Sequence, residues 1–164
     1  MSQKRSVLII GAMFSVYLLA ACGGLSSKQR TAASDSLKAL KKIEAATQVG
    51  VNYQQYGQLV IEAKAQVNEA LSVLSDGELK KELDATMDAY ADAGQAWGVK
   101  ISGHGILKQN EEPGKTLISK YSLKAEVPSI AKSLGAIVHS DDALQVIWGE
   151  ARKHLERASS LLKE

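Results

Sequence analysis

Cys22 is the only cysteine in the 164-residue chain, and an ionised thiol is the strongest ordinary side-chain nucleophile near neutral pH. It follows an aliphatic residue and two small ones, Leu19-Ala20-Ala21. Such a sulfur can attack an electrophile in catalysis or accept a group permanently as a thioether. Catalysis would need a base, and none of the three histidines forms a recognisable pattern with it. His104 sits between Gly103 and Gly105, a setting flexible enough for contact with a ligand or partner, although a simple turn explains it more economically. His139 and Asp141 offer two metal ligands, fewer than a site requires, and read better as a residue leading into a helix beside a capping neighbour. Glu150 and His154 are four apart and share a helix face. The Glu-x-x-His pairs of bundle di-iron centres do not occur, however, so His154 is expected to be solvated or salt-bridged. No Gly-x-Ser-x-Gly elbow is present, and Ser102-Gly103-His104-Gly105 matches no phosphate-cradling loop. The acid pairs Glu111-Glu112 and Asp141-Asp142 are adjacent in sequence, so their carboxylates point apart and make poor acid/base couples. The expectation is a protein with no catalytic residues, no metal site and no cofactor beyond whatever Cys22 carries.

The surroundings of Cys22 supply that group. Lys4 and Arg5 form a basic start, and Val7 to Ala21 form an apolar run, which together have the order of a secretory signal peptide. A spanning helix needs roughly 20 apolar residues; this run is shorter and contains Gly11 and Ser15. The small-small-Cys ending has no purpose in an uncleaved anchor. Leu19-Ala20-Ala21-Cys22 resembles the lipobox of bacterial lipoproteins. The resemblance implies cleavage between Ala21 and Cys22, a diacylglyceryl thioether on Cys22, and Cys22 as the mature N-terminus. Two or more acyl chains anchor a protein firmly, at about 0.8 kcal/mol per buried methylene. Gly23-Gly24 follow, rather than the Asp that retains lipoproteins at the inner membrane of enteric-type bacteria. By the same resemblance the expected location is the cell envelope, on the periplasmic face of the outer membrane in a host with two membranes.

The formal net charge of +2 comes from 20 Lys and Arg against 18 Asp and Glu. Lys4 and Arg5 belong to the leader, which has no acid, so the remainder is balanced. A neutral domain has no long-range field to draw in nucleic acid, and attachment to a membrane would rest on the lipid. With one cysteine no intramolecular disulfide can form, and an exported domain must be stable from its core alone.

The elements read as helices, and no strand pair is expected. Residues 22–33 lack an apolar period and are expected to be a flexible tether, followed by a helical domain over 34–164. Ser34 or Asp35 is a candidate N-cap. One seam then runs Ile43, Ala46, Gly50, Tyr53, Gly57, Val60, Lys64, Val67, Leu71, Leu74, with the alternating three-four spacing of heptad a and d positions. It predicts one long helix, with Gly50 and Gly57 allowing close approach of a neighbour; a break near Gly50 is the alternative. Ser75 and Glu78 match a capping box after the Asp76-Gly77 turn. The next helix carries Leu79, Leu83, Thr86, Tyr90, Ala93 and Trp97. Residues 103–139 are broken by glycines and both prolines of the chain, with short helices possible over 116–123 and 129–134. Ser140 is a candidate N-cap for a last helix with Leu144, Ile147, Trp148, Ala151, Leu155, Ala158 and Leu162 on one face.

These patterns predict an all-α, up-down antiparallel helical bundle with one long N-terminal helix and a partly irregular segment before the last helix. Tyr53, Tyr90, Trp97 and Trp148 fall on core stripes; Tyr56 lies beside the seam and is the aromatic expected to serve surface recognition. The expected role is a lipid-anchored, non-enzymatic binding or scaffolding domain, with an envelope protein as the possible partner. The alternative is a small-molecule or metal carrier with a pocket between helices near Trp97 and Trp148.

Overall fold

The computed structural model describes residues 24–103, 105–128 and 135–163. Four long helices, α1 (Ser27–Val49), α2 (Tyr53–Val73), α3 (Glu78–Ile101) and α5 (Ser140–Leu161), form an all-α up-down bundle. Side-chain contacts fix the directions. Gln29 at the start of α1 reaches Val73 at the end of α2, and Tyr53 at the start of α2 lies against Gly98 near the end of α3. Lys100 near the end of α3 pairs with Asp141 at the start of α5. Arg30 on α1 bonds the Leu162 carbonyl just beyond α5. One end of the bundle therefore holds residue 24, the α2–α3 turn and the end of α5. The other holds the α1–α2 turn, the end of α3 and everything between α3 and α5.

The single long helix expected over 34–74 is two helices folded back on each other. Gly50 ends α1 with φ 97, a backbone region that side chains disfavour. Asn52 then caps α2, its Oδ1 accepting from the Gln55 amide at 2.9 Å. Gly57 lies inside α2 without interrupting it. The break resets the helical phase. Tyr56, Ala63, Val67 and Ala70 face the core, and Lys64, on the expected seam, is exposed.

Three caps also differ from expectation. The helix begins at Ser27, within the stretch read as tether, because Ser26 and Gln29 close a capping box of 3.0 and 3.3 Å; Ser34 and Asp35 lie inside it. Ser75 and Glu78 do not form theirs: the Ser75 hydroxyl accepts from Gln29 Nε2, Glu78 pairs with Lys81, and Gly77 occupies the cap position. Ser140 is the first residue of α5 rather than its cap, with a buried hydroxyl that has no partner among the described residues.

The core is rich in alanine. Leu37, Leu40 and Ile43 of α1, Leu83, Met87 and Tyr90 of α3, and Leu144, Ile147 and Leu155 of α5 fill it. Ala33, Ala63, Ala70, Ala93, Ala96, Ala151 and Ala158, also fully buried, let the helices approach closely. Burial of this kind supplies about 25 cal/mol per Å2 of apolar surface.

Between α3 and α5 the chain forms an unexpected strand pair. β1 (Ile106–Lys108) runs antiparallel to β2 (Ile137–His139), with Leu107 opposite Val138, and both of these residues are buried. The short helix α4 (Gly114–Lys120) packs Leu117 and Ile118 inward. Its first residue must be glycine, because a Cβ there would lie 2.6 Å from the Lys108 nitrogen. Asp92 on α3 holds the insert down, accepting from Lys120 Nζ and Tyr121 Oη, each at 2.8 Å. The helix expected over 129–134 lies outside the described residues.

Candidate functional site

Aromatic side chains from three helices meet near the end of the bundle that carries the α1–α2 turn. Trp97 of α3 packs on Tyr53, Tyr56 and Trp148, with ring centroids at 6.0, 5.3 and 5.7 Å, and Tyr56 lies 6.1 Å from Trp148 of α5. These edge and tilted arrangements are those that aromatic quadrupoles favour. Small residues on α3 make the room: a Cβ on Gly98 would stand 3.2 Å from the Tyr53 hydroxyl, and one on Gly94 3.6 Å from the Tyr56 ring.

Tyr56 is at the centre of this cluster, not on the surface. It is 0% exposed while Tyr53 is 41% exposed, the reverse of the expected order, because the phase of α2 is set after the break at Gly50. Its hydroxyl donates to the Tyr90 carbonyl at 2.7 Å and accepts from Trp148 Nε1 at 3.3 Å, linking α2 to both α3 and α5. Burial pushes its ionisation well above the usual tyrosine value and outweighs the opposing Trp148 bond. Tyr90 is raised in the same way by burial, then by the nearby Glu44 and Tyr56. Tyr121 is raised by burial and by its bond to Asp92. All three phenols are held in the neutral form, two of them, Tyr56 and Tyr121, as hydrogen-bonding groups that tie helices or insert together.

A second cluster lies toward the opposite end. The Glu82 side chain on α3 is 7% exposed and is gripped from α5 by His154 Nδ1 at 2.6 Å and Arg157 Nε at 3.2 Å. His154 is thus engaged with a buried carboxylate across the α3–α5 interface. Glu150 turns instead to Lys153 at 2.6 Å, so the Glu150–His154 face assembles no ligand pair. Asp141 is engaged by Lys100, and His139 is an exposed strand end, so those two do not combine either. Among the described residues no group of three or more His, Cys, Asp or Glu could hold a metal ion. Glu82 was not singled out by sequence; the only signal was an acid beside the apolar stripe of α3, opposite His154 and Arg157 three apart on α5.

His104, Cys22 and Ala21 lie outside the described residues, as does the whole leader. No described helix is long and apolar enough to cross a membrane. Large apolar side chains are exposed around the α1–α2 turn and the end of α3: Val49 at 86%, Ile101 at 53%, and Tyr53. No protein-family model matches the chain, and neither a curated protein nor a solved structure is significantly similar to it.

Proposed function

We propose that the chain is a lipid-anchored envelope protein whose helical bundle binds or scaffolds a partner rather than catalysing a reaction. The observation that carries this reading is Leu19-Ala20-Ala21-Cys22 at the end of a basic and then apolar leader. No other ordinary feature accounts for two small residues and a lone cysteine at that place. The domain chemistry supports the second half. Three of the buried polar side chains among the described residues are already engaged structurally: Glu82 by His154 and Arg157, Tyr56 by Tyr90 and Trp148, and the largely buried Asp92 by Lys120 and Tyr121. Gly23-Gly24 after the cysteine favours outer-membrane sorting where two membranes exist.

Intact mass of the membrane-extracted protein tests the reading. The expected species begins at Cys22 and carries a lipid adduct that is lost in Cys22→Ser. An unmodified mass that includes Met1 to Ala21 would overturn the anchor and return residues 7–21 to an uncleaved membrane segment. In a native run, extra mass that disappears on denaturation would replace the scaffold by a small-molecule carrier.

A further inference from the structure

We infer that the end of the bundle holding Leu25, the α2–α3 turn and the end of α5 is seated on the lipid headgroups of the membrane that holds the Cys22 anchor. The inference rests on the lipid-anchor reading above. What the fold adds is the length of the link. Leu25 is half-buried against the core, and Ser26 and Gln29 close the cap of α1 immediately after it. The Gln29 side chain also donates to the Val73 carbonyl at 3.0 Å and to Ser75 Oγ at 3.3 Å, so the start of α1 is fixed to the α2–α3 turn. Between Cys22 and Leu25 stand only Gly23 and Gly24. Three steps of 3.8 Å between successive Cα atoms give a reach of about 11 Å at most. By contrast, α1 has 23 residues, and at 1.5 Å per residue the α1–α2 turn lies about 33 Å farther away. An acylated Cys22 therefore keeps this end at the headgroup layer, and seating on this end face, rather than on a side of the bundle, lifts the other end about 33 Å clear.

The chemistry of that end suits a polar lipid surface. Lys28, Arg30, Lys80, Lys81 and Lys163 lie on it, against Asp76 and Glu78, with Glu164 next in sequence. Lys80 pairs with Asp76 and Lys81 with Glu78, Arg30 donates to the Leu162 carbonyl, and Lys28 and Lys163 are uncommitted among the described residues. A modest cationic excess of this kind attracts anionic headgroups over a Debye length. The consequence is that Val49, Tyr53 and Ile101 are held away from the bilayer, where a partner in the aqueous compartment can reach them.

The test uses the full lipidated protein in vesicles of phosphatidylethanolamine and phosphatidylglycerol doped with a nitroxide-headgroup lipid. Because the Cys22 thiol is consumed by the anchor, a fluorophore can be placed singly through Asp76→Cys or Gln48→Cys, both at exposed positions at opposite ends. The expected result is several-fold stronger quenching of the Asp76 probe than of the Gln48 probe. Equal quenching, or stronger quenching at Gln48, with the lipid adduct present in the mass spectrum, would overturn the seating and leave the anchor intact. Absence of the adduct would overturn both.

Discussion

Replacing Tyr56 by phenylalanine removes one oxygen atom and two hydrogen bonds, the 2.7 Å bond given to the Tyr90 carbonyl and the 3.3 Å bond received from Trp148. A typical intramolecular hydrogen bond contributes about 1 kcal/mol net, and a donor left behind without a partner adds to the loss. The longer bond belongs to a half-buried indole that can find water, so the sum is about 1–2 kcal/mol. Tyr56→Ala also deletes a ring that is 0% exposed, for which about 3–5 kcal/mol is the usual cost. The control is Tyr53→Phe, at a 41% exposed position, expected to stay within about 0.5 kcal/mol of the parent. Urea unfolding followed by the fluorescence of Trp97 and Trp148 reads all three, through a lower midpoint with an unchanged slope. The comparison also tests the fold. A continuous helix through Gly50 puts Tyr53 on the seam and Tyr56 beside it, whereas a turn at Gly50 exchanges them. If Tyr53→Phe were costly and Tyr56→Phe neutral, both the aromatic network and the α1–α2 hairpin would be refuted.

Glycine substitutions should divide by backbone geometry. Gly50→Ala, at φ 97, is expected to cost about 1–3 kcal/mol, while Gly57→Ala, inside α2 with open space around it, should stabilise by about 0.4–1 kcal/mol; thermal unfolding gives both signs. Gly114→Ala drives a methyl group into the backbone of Lys108 and should cost about 1–3 kcal/mol as overpacking does, with amide exchange in β1 accelerating before that in α3. Stability should also fall in alkali. Tyr56 and Tyr90 ionise near 10.0 once unfolded but are raised by burial in the fold. Their contribution is therefore complete below about pH 10 and lost as pH rises beyond it. Each phenol steepens the decline by about 1.4 kcal/mol per pH unit, so Tyr56→Phe should give a shallower slope between pH 10 and 11 in urea titrations.

The helices α3 and α5 were legible because large side chains mark their faces. Leu83, Tyr90, Leu144, Ile147 and Leu155 recur at three-four spacing and are all buried. On α2 the same reasoning misleads. The seam drawn by heptad spacing picks Val60 and Leu71, which are only half-buried, whereas Tyr56, Ala63 and Ala70, off that seam, are fully buried. Small residues line much of this interface because the helices come close, so few large side chains mark the true phase of α2. The break itself was written in the chain as Gly50 followed by Asn52, a helix stop and a helix start two residues apart. Unbroken heptad spacing across them hid it, since two antiparallel helices with equal periods can share a register by coincidence. The pairs Glu82–His154 and Asp92–Tyr121 could not be read at all. They are 72 and 29 residues apart, and only the tertiary fold brings them together.

The most consequential of these differences is the smallest in the sequence. Ser26-x-x-Gln29 is a readable capping box, yet residues 27–33 contain no large apolar side chain, so periodicity alone leaves them as tether. Alanine at 33, the Gln29 contacts with Val73 and Ser75, and the Arg30 contact with Leu162 hold them in α1 instead. A flexible link from Cys22 to Ser34 would span up to about 40 Å when extended and about 19 Å on average, enough for the domain to tumble freely above a bilayer and to present any face. With α1 capped at Ser26, the sequence leaves only Gly23 and Gly24 between Cys22 and Leu25, a reach of about 11 Å, about a third of the length of α1. On the proposed lipid-anchor reading, the seven residues gained by α1 replace a link long enough for free tumbling by one short enough to bias which end of the bundle faces the bilayer, and the unequal quenching expected of probes at Asp76 and Gln48 is the measure of that bias.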